Sequence, residues 1–371
     1  MRAPEAPTVG ATGAMEDARR AMNVCNACRY CEGYCAVFPA MELRREFSAG
    51  ALTYLANLCH NCRGCFYACQ YAPPHEFGIN LPRTFAALRS ESYGAFAWPG
   101  FLARAFDRNG FAVSLAAALS LALVLLLTLA LQRPDVLYAV HLDPGAFYAL
   151  IPAWAMIGVA GGTFGFSLLV MAVGAVKFWR STGSIALPRP RPLLRAIGDA
   201  LTLRYLGGGG HGCNDRDDGF SQSRRRLHHA MFYGFLLCFA STCVAALYEH
   251  VLGRLAPYPL LSPPVVLGAL GGIGMAIGTG GLLWLKVAGD PAPAAPEARG
   301  ADFALLFLLL LTAVTGLLLL ALRSTGAMGV LLAVHLGFVL ALFLVMPYSK
   351  FVHGLYRGLA LVRHAMERPL E

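Results

Sequence analysis

Hydrophobic residues in this chain fall into long unbroken blocks, with the polar residues gathered in the gaps between them. The first block, Phe111–Leu131 (FAVSLAAALSLALVLLLTLAL), runs 21 residues without a charge, and about 20 suffice for a helix to cross the hydrocarbon core of a bilayer. Five more blocks follow at about 147–176, 228–250, 265–287, 302–322 and 328–346. The pattern predicts six transmembrane helices. A Pro/Ala linker, GDPAPAAPEARG, separates the fourth from the fifth, and a polar loop at 177–227 separates the second from the third. Upstream, residues 15–95 mix polar and apolar positions at short range. There MEDARRAMNVCNAC and AMELRREFSAGALTYLANLCHNC each predict a short helix leading into a cysteine loop. Residues 1–14, rich in Ala, Gly and Pro, read as a disordered leader. The domain plan is therefore a mostly α, cysteine-rich module at 15–95 and a membrane bundle at 96–371.

Composition agrees. With 57% hydrophobic and 14% charged residues over 371 positions, the chain is too apolar for a water-soluble protein of this size. The net charge of +9 raises nucleic acid as a partner, but the basic residues lie between apolar runs and not on an aromatic-interleaved surface. That arrangement fits a lipid bilayer and no nucleic acid. Six spans put both termini on one side. The 177–227 loop carries Arg189, Arg191, Arg195, Arg204, Arg216, Arg224, Arg225 and Arg226, against mainly Arg133, Arg254 and Arg323 on the other side. Positive charge is retained on the cytoplasmic side, which places the cysteine module, the long loop and the C-terminus there.

The cysteines carry the strongest chemical signal. CNACRYCEGYC and CHNCRGCFYAC are two copies of C-x2-C-x2-C-x3-C, at Cys25, Cys28, Cys31, Cys35 and at Cys59, Cys62, Cys65, Cys69. Three closely spaced thiolates grip three irons of a cubane, and in two-cluster ferredoxins the fourth cysteine serves the other cluster. The spacing predicts one [4Fe–4S] cluster on Cys25, Cys28, Cys31 and Cys69 and a second on Cys59, Cys62, Cys65 and Cys35. The proline that usually follows the fourth cysteine is replaced by Ala36 and Gln70. A zinc site would leave the third and fourth cysteine of each motif idle. Disulfides suit small secreted domains, whereas these thiols call for a reducing compartment. With little apolar core expected, the module is expected to depend on its clusters for folding.

Histidines in the spans come next, because polar side chains there are costly and tend to be functional. His335 and His353 are 18 residues apart, five helical turns, about 27 Å along one face. His228 and His250 are 22 apart, with His229 beside the first. The topology matches His228 or His229 with His353 at the cytoplasmic rim, and His250 with His335 toward the opposite rim. Each pair is a candidate for bis-histidine ligation of a b-type haem; the competing reading is histidines snorkelling at the interface. His75, His141 and His364 read as surface residues. The GGGGHGCND stretch reads as a flexible connector, with a docking or substrate-facing loop as the alternative. Glycines of the fourth span, among them Gly271, Gly274 and Gly278, predict close helix packing.

Taken together, the doubled cysteine motif, HGCNDRDDGFSQSRRRLHHAMFYGF, the APYP segment and MPYSKFVHGLYR resemble the tricarballylate/citrate-utilisation protein B family from about Ala14 to the end. MPYSKFVHGLYR and the His335/His353 spacing also resemble, at the level of fold, the cytochrome b subunit of respiratory nitrate reductase. The resemblance implies a ferredoxin-like di-cluster domain on a six-helix bundle in the bacterial inner membrane. It implies electron transfer from the reduced flavin of an FAD-dependent, tricarballylate- or citrate-type dehydrogenase through the clusters and one or two b haems to quinone. No G-x-G-x-x-G follows a strand, so the flavin belongs to the partner. The rival is a redox sensor or transporter-associated iron–sulfur protein without haem. Transport is disfavoured by the near absence of ionisable residues in the first, second and fifth spans.

Overall fold

The computed structural model describes residues 13–183 and 188–368. The leader expected at 1–14 lies outside the described residues except for Gly13 and Ala14, which open the first helix, Gly13–Cys28. Four further helices complete the cysteine module: Val37–Glu42, Ala49–Leu58, Gly64–Tyr67 and Leu81–Phe96. Two of them begin on side-chain caps, since Ser48 accepts from the amide of Ala51 and Asn80 from that of Arg83.

The expectation of a nearly coreless module is overturned. Met15, Met22, Leu52, Tyr54, Leu55, Leu58, Phe85 and Leu88 form a continuous buried cluster. That cluster extends into the rest of the chain. Tyr356 and Leu361, from a helix at His353–Glu367 after the last span, enter it, as does Phe178 from the end of the second span. Phe96, Phe178 and Tyr356 form a ring triangle with centroids 5.3–5.8 Å apart. The core is drawn mostly from the module's own short helices and is closed by Val352, Tyr356, Ala360, Leu361, Val362 and Ala365 from some 300 residues downstream, a contribution the local pattern does not show.

Six helices are long and apolar enough to span a membrane among the described residues: Asn109–Leu131, Ala153–Ser181, Ser223–His250, Pro263–Ala288, Pro296–Leu322 and Met328–Val345. The second starts later than expected. Pro152 stands at its N-cap, and Ala146–Leu150 forms a separate short helix before it. The third and fourth spans pack backbone to backbone, as the glycines predict. A Cβ at Gly234 would strike the amide of Met275, and one at Gly278 that of Met231.

The GGGGHGCND stretch, read as a flexible connector, is structured: Arg204–Gly210 forms a 3-10 helix, and an antiparallel ribbon pairs Cys213 with Ser221 and Asn214 with Phe220. Ahead of it in the same polar loop stands a helix, Pro190–Leu201. The amide of Asn214 donates to the carbonyl of Cys62 at 3.0 Å, so the ribbon lies on the second cysteine motif.

Candidate functional site

Tight backbone turns assemble the cysteine loops. Arg29 in the first motif and Asn61 and Arg63 in the second have positive φ (55°, 56° and 69°), a conformation non-glycine residues rarely hold without surrounding constraint. Cys25, Cys28 and Cys31 line one cavity together with Cys69 of the second motif. Cys59 and Cys62 line another with Cys35 of the first, and Cys65 borders both. All eight thiols are free.

The donor set fits cubane clusters. Burial, followed by the neighbouring thiols Cys69, Cys31 and Cys28, pushes the Cys25 thiol up to about 12. Burial, then Cys62 and Cys59, pushes Cys35 well above its usual range. Such groups would ionise together beside a metal centre that supplies compensating positive charge, so metal binding there would be linked to their deprotonation. Among the described residues no three His, Cys, Asp or Glu side chains converge as ligands of a single ion would. A cubane instead holds its thiolates apart, one at each iron corner.

Where the module meets the bundle, the structure brings His228 and His353 together, with ring centroids 6.2 Å apart and planes at 78°. Two imidazoles on opposite sides of one metal, each at about 2 Å, put their centroids about 6 Å apart. His353 Nδ1 lies 2.6 Å from the carbonyl oxygen of Lys350, so Nδ1 carries the proton and Nε2 keeps its lone pair. That is the arrangement a metal-binding imidazole uses. His229, the other candidate for this pair, packs instead against Tyr233 at 5.7 Å.

The far pair is not brought together. His250 is the last residue of its helix and exposed. His335 lies seven residues inside the sixth span, about 10 Å from its start, with Nδ1 3.1 Å from Thr315 Oγ1. Its Cε1 would be 2.9 Å from a Cβ at Gly316, so the ring rests on the backbone of the fifth span.

Several residues of the site were not singled out from the sequence. Arg224, one turn before His228, donates to the carbonyl of Asn61 at 2.7 Å and pairs with Asp215 at 2.6 Å. Arg357, one turn after His353, donates to the carbonyl of Cys59 at 3.0 Å. Buried Arg89 donates to Cys59 as well, at 3.1 Å. His60, inside the second motif, is buried with Nδ1 2.8 Å from the Leu58 carbonyl, and burial pulls its pKa well below the usual value. The signal was local: arginines spaced i±4 from the rim histidines place charge and ring on one helix face. Asp302, at the start of an apolar block, is buried between Lys286 and Lys350, tying the fourth and fifth spans to the segment before His353. His364, read as a surface residue, is 2% exposed and packs on Tyr205. His75 is exposed and His141 half-buried.

Comparison with known proteins bears on this arrangement. The family model for citrate utilization protein B matches residues 104–371, and the model for its Fer4-like domain matches residues 18–95. The chain belongs to the citrate utilization protein B family. Citrate utilization protein B of Escherichia coli is 47% identical over 356 residues, covering 95% of this chain and 92% of the relative. No solved structure matches the chain. The two family matches meet close to the boundary between the cysteine module and the bundle, and membership supports an iron–sulfur electron-transfer role in citrate utilization for a multi-pass membrane protein.

Proposed function

We propose that this chain reoxidises the reduced flavin of an FAD-dependent tricarboxylate dehydrogenase, of tricarballylate or citrate type, and delivers the electrons to membrane quinone. In this reading it sits in the bacterial inner membrane with the cysteine module and both termini in the cytoplasm. Cys25, Cys28, Cys31 and Cys69 hold an outer [4Fe–4S] cluster, Cys59, Cys62, Cys65 and Cys35 an inner one, and His228 and His353 a single b-type haem. Bound there, these groups supply a one-electron relay that splits the electron pair of a reduced flavin.

The residues of the chain do the rest. Arg224 and Arg357 hold the second cysteine loop over the two helices that carry the histidines, so the loop and the imidazole pair form one rigid unit. The Lys350 carbonyl fixes the tautomer of His353. Arg189, Arg191 and Arg226 stay exposed and offer positive charge to an acidic partner surface. The observation that carries this reading is the 6.2 Å separation of the His228 and His353 rings beside the second cysteine motif.

The test is an optical spectrum of the purified full-length protein. The reading expects the α-band of a low-spin b-type haem, lost in His228→Ala and in His353→Ala. A wild-type protein with two cubanes and no haem would favour the sensor reading instead.

A further inference from the structure

Three arginines at the second cysteine motif, Arg63, Arg89 and Arg357, form no ion pair among the described residues; Arg63 donates to the carbonyls of Asp215 and Asp290 at 3.1 Å, whereas Arg89 and Arg357 reach the motif itself. Arg89 is 7% exposed, and its Nη1 donates to the carbonyls of Ala56 at 2.8 Å and Cys59 at 3.1 Å. Arg357 reaches the same Cys59 carbonyl with Nη2, while its Nε is sealed from solvent without a partner. Arg224, which reaches the neighbouring Asn61 carbonyl, is compensated by Asp215 at 2.6 Å. Taking a cation out of water without an anion is costly, and carbonyl dipoles offset only part of that cost. Two such cations aimed at one carbonyl mark a place where negative charge is to arrive. Burial, then the neighbouring Arg89, pulls the Arg357 pKa down to about 10, and only the Tyr93 hydroxyl and the Cys59 thiol act the other way.

The first motif has no counterpart. Arg29, within that motif, is exposed and bonded to the Asn26 carbonyl at 3.0 Å, where water screens its charge.

We propose that Arg89 and Arg357 are the counter-charge of the cluster held by Cys35, Cys59, Cys62 and Cys65, and hold its reduction potential above that of the cluster held by Cys25, Cys28, Cys31 and Cys69. The inference rests on the cofactor assignment made under Proposed function. In the step concerned, one electron leaves the reduced outer cluster, which is oxidised, and enters the inner cluster, which is reduced; no proton or bond moves. The inner cluster gains one negative charge, and guanidinium charge beside it in a low-dielectric site stabilises that state. The transfer is then downhill toward the His228–His353 pair.

The experiment is a potentiometric titration of the full-length protein, following the two cubane signals by electron paramagnetic resonance, with iron and sulfide content measured alongside. In wild type the inner cluster, identified by its loss in Cys59→Ser, is reduced first. In Arg89→Gln and Arg357→Gln its reduced-to-oxidised ratio at fixed potential falls at least tenfold, about 59 mV for one electron, while the outer cluster stays within a few-fold. Arg357→Lys, which keeps the charge, retains most of the wild-type potential; a merely structural role would make Lys and Gln equivalent. An inner cluster that titrates below the outer one in wild type, or is unmoved in both Gln variants, overturns the proposal. Wild-type protein without two cubane signals overturns the cofactor assignment, and the proposal with it.

Discussion

Arg224 and Arg357 take hold of the same short loop from two different helices, one at the carbonyl of Asn61 and the other at that of Cys59. Each stands one turn from a histidine, His228 in the first case and His353 in the second. The second cysteine motif is thereby fixed to the imidazole pair by charge-assisted hydrogen bonds. The first motif meets it at Cys65, which borders both cavities, and among the described residues no hydrogen bond or ring contact joins the first motif to the histidine pair. The geometry orders the sites as first motif, second motif, histidine pair.

The crossed arrangement of the cysteines gives the first prediction. Cys31→Ser damages the cluster that includes Cys69, and Cys35→Ser the one that includes Cys59. Paramagnetic resonance spectra of the two variants should each lose a different signal. Variants that group by motif, with Cys35→Ser matching Cys31→Ser, would show that each motif closes on itself.

At the histidines, the structure separates variants that the spacing alone treats alike. His228→Ala and His353→Ala are expected to abolish the b-type α-band. His250→Ala and His335→Ala are expected to leave it in place, since His250 ends exposed and His335 is packed on Gly316. Haem quantified by pyridine haemochrome should be near one per chain in wild type and in those two variants alike; two per chain in wild type, halved in His335→Ala, would establish a second haem.

Much of this was legible in the sequence. Six apolar blocks announced six spans because a lipid-facing helix needs little besides length and apolarity, and the doubled motif announced the cysteine cavities because ligand spacing is local. What stayed hidden is long-range. Arg357 lies 298 positions from Cys59, and nothing in either neighbourhood shows that they meet. The Asn214 amide on the Cys62 carbonyl is likewise tertiary, and a Gly-rich stretch reads as slack whether or not it packs. The pairing of His250 with His335 failed to appear because periodicity fixes the face and depth of a residue along one helix, and not what the neighbouring helix places opposite.

The buried charge cluster is a third target. Asp302→Ala leaves Lys286 and Lys350 facing each other without their anion. Breaking a fully buried pair costs about 3–5 kcal/mol; both lysines keep about a third of their side-chain surface (35% and 34%), so a loss of about 2 kcal/mol is expected. Thermal unfolding in detergent should show a lowered midpoint, partly restored by adding Lys350→Met. An unchanged midpoint in Asp302→Ala would deny the cluster a structural role.

Acid sensitivity follows from His364. Burial, then Arg368, Arg195, Arg44 and Arg204, pulls its pKa from 6.5 down to about 3. The folded chain therefore keeps the ring neutral while the unfolded chain protonates it below 6.5, so stability is intact above that value and falls as pH drops toward 3. By pH 5 the loss is about 2 kcal/mol. His364→Phe should flatten the decline in melting midpoint between pH 7 and pH 5; a slope equal to wild type would place the sensitivity elsewhere.

The route from flavin to quinone is tested most directly by following oxidation of the reduced partner flavoprotein in membrane vesicles that contain this chain. Oxidation should proceed only with quinone present, slow as salt rises, and stop in Cys59→Ser and in His353→Ala. Undiminished turnover without quinone, or with the inner cysteine motif broken, would contradict the route.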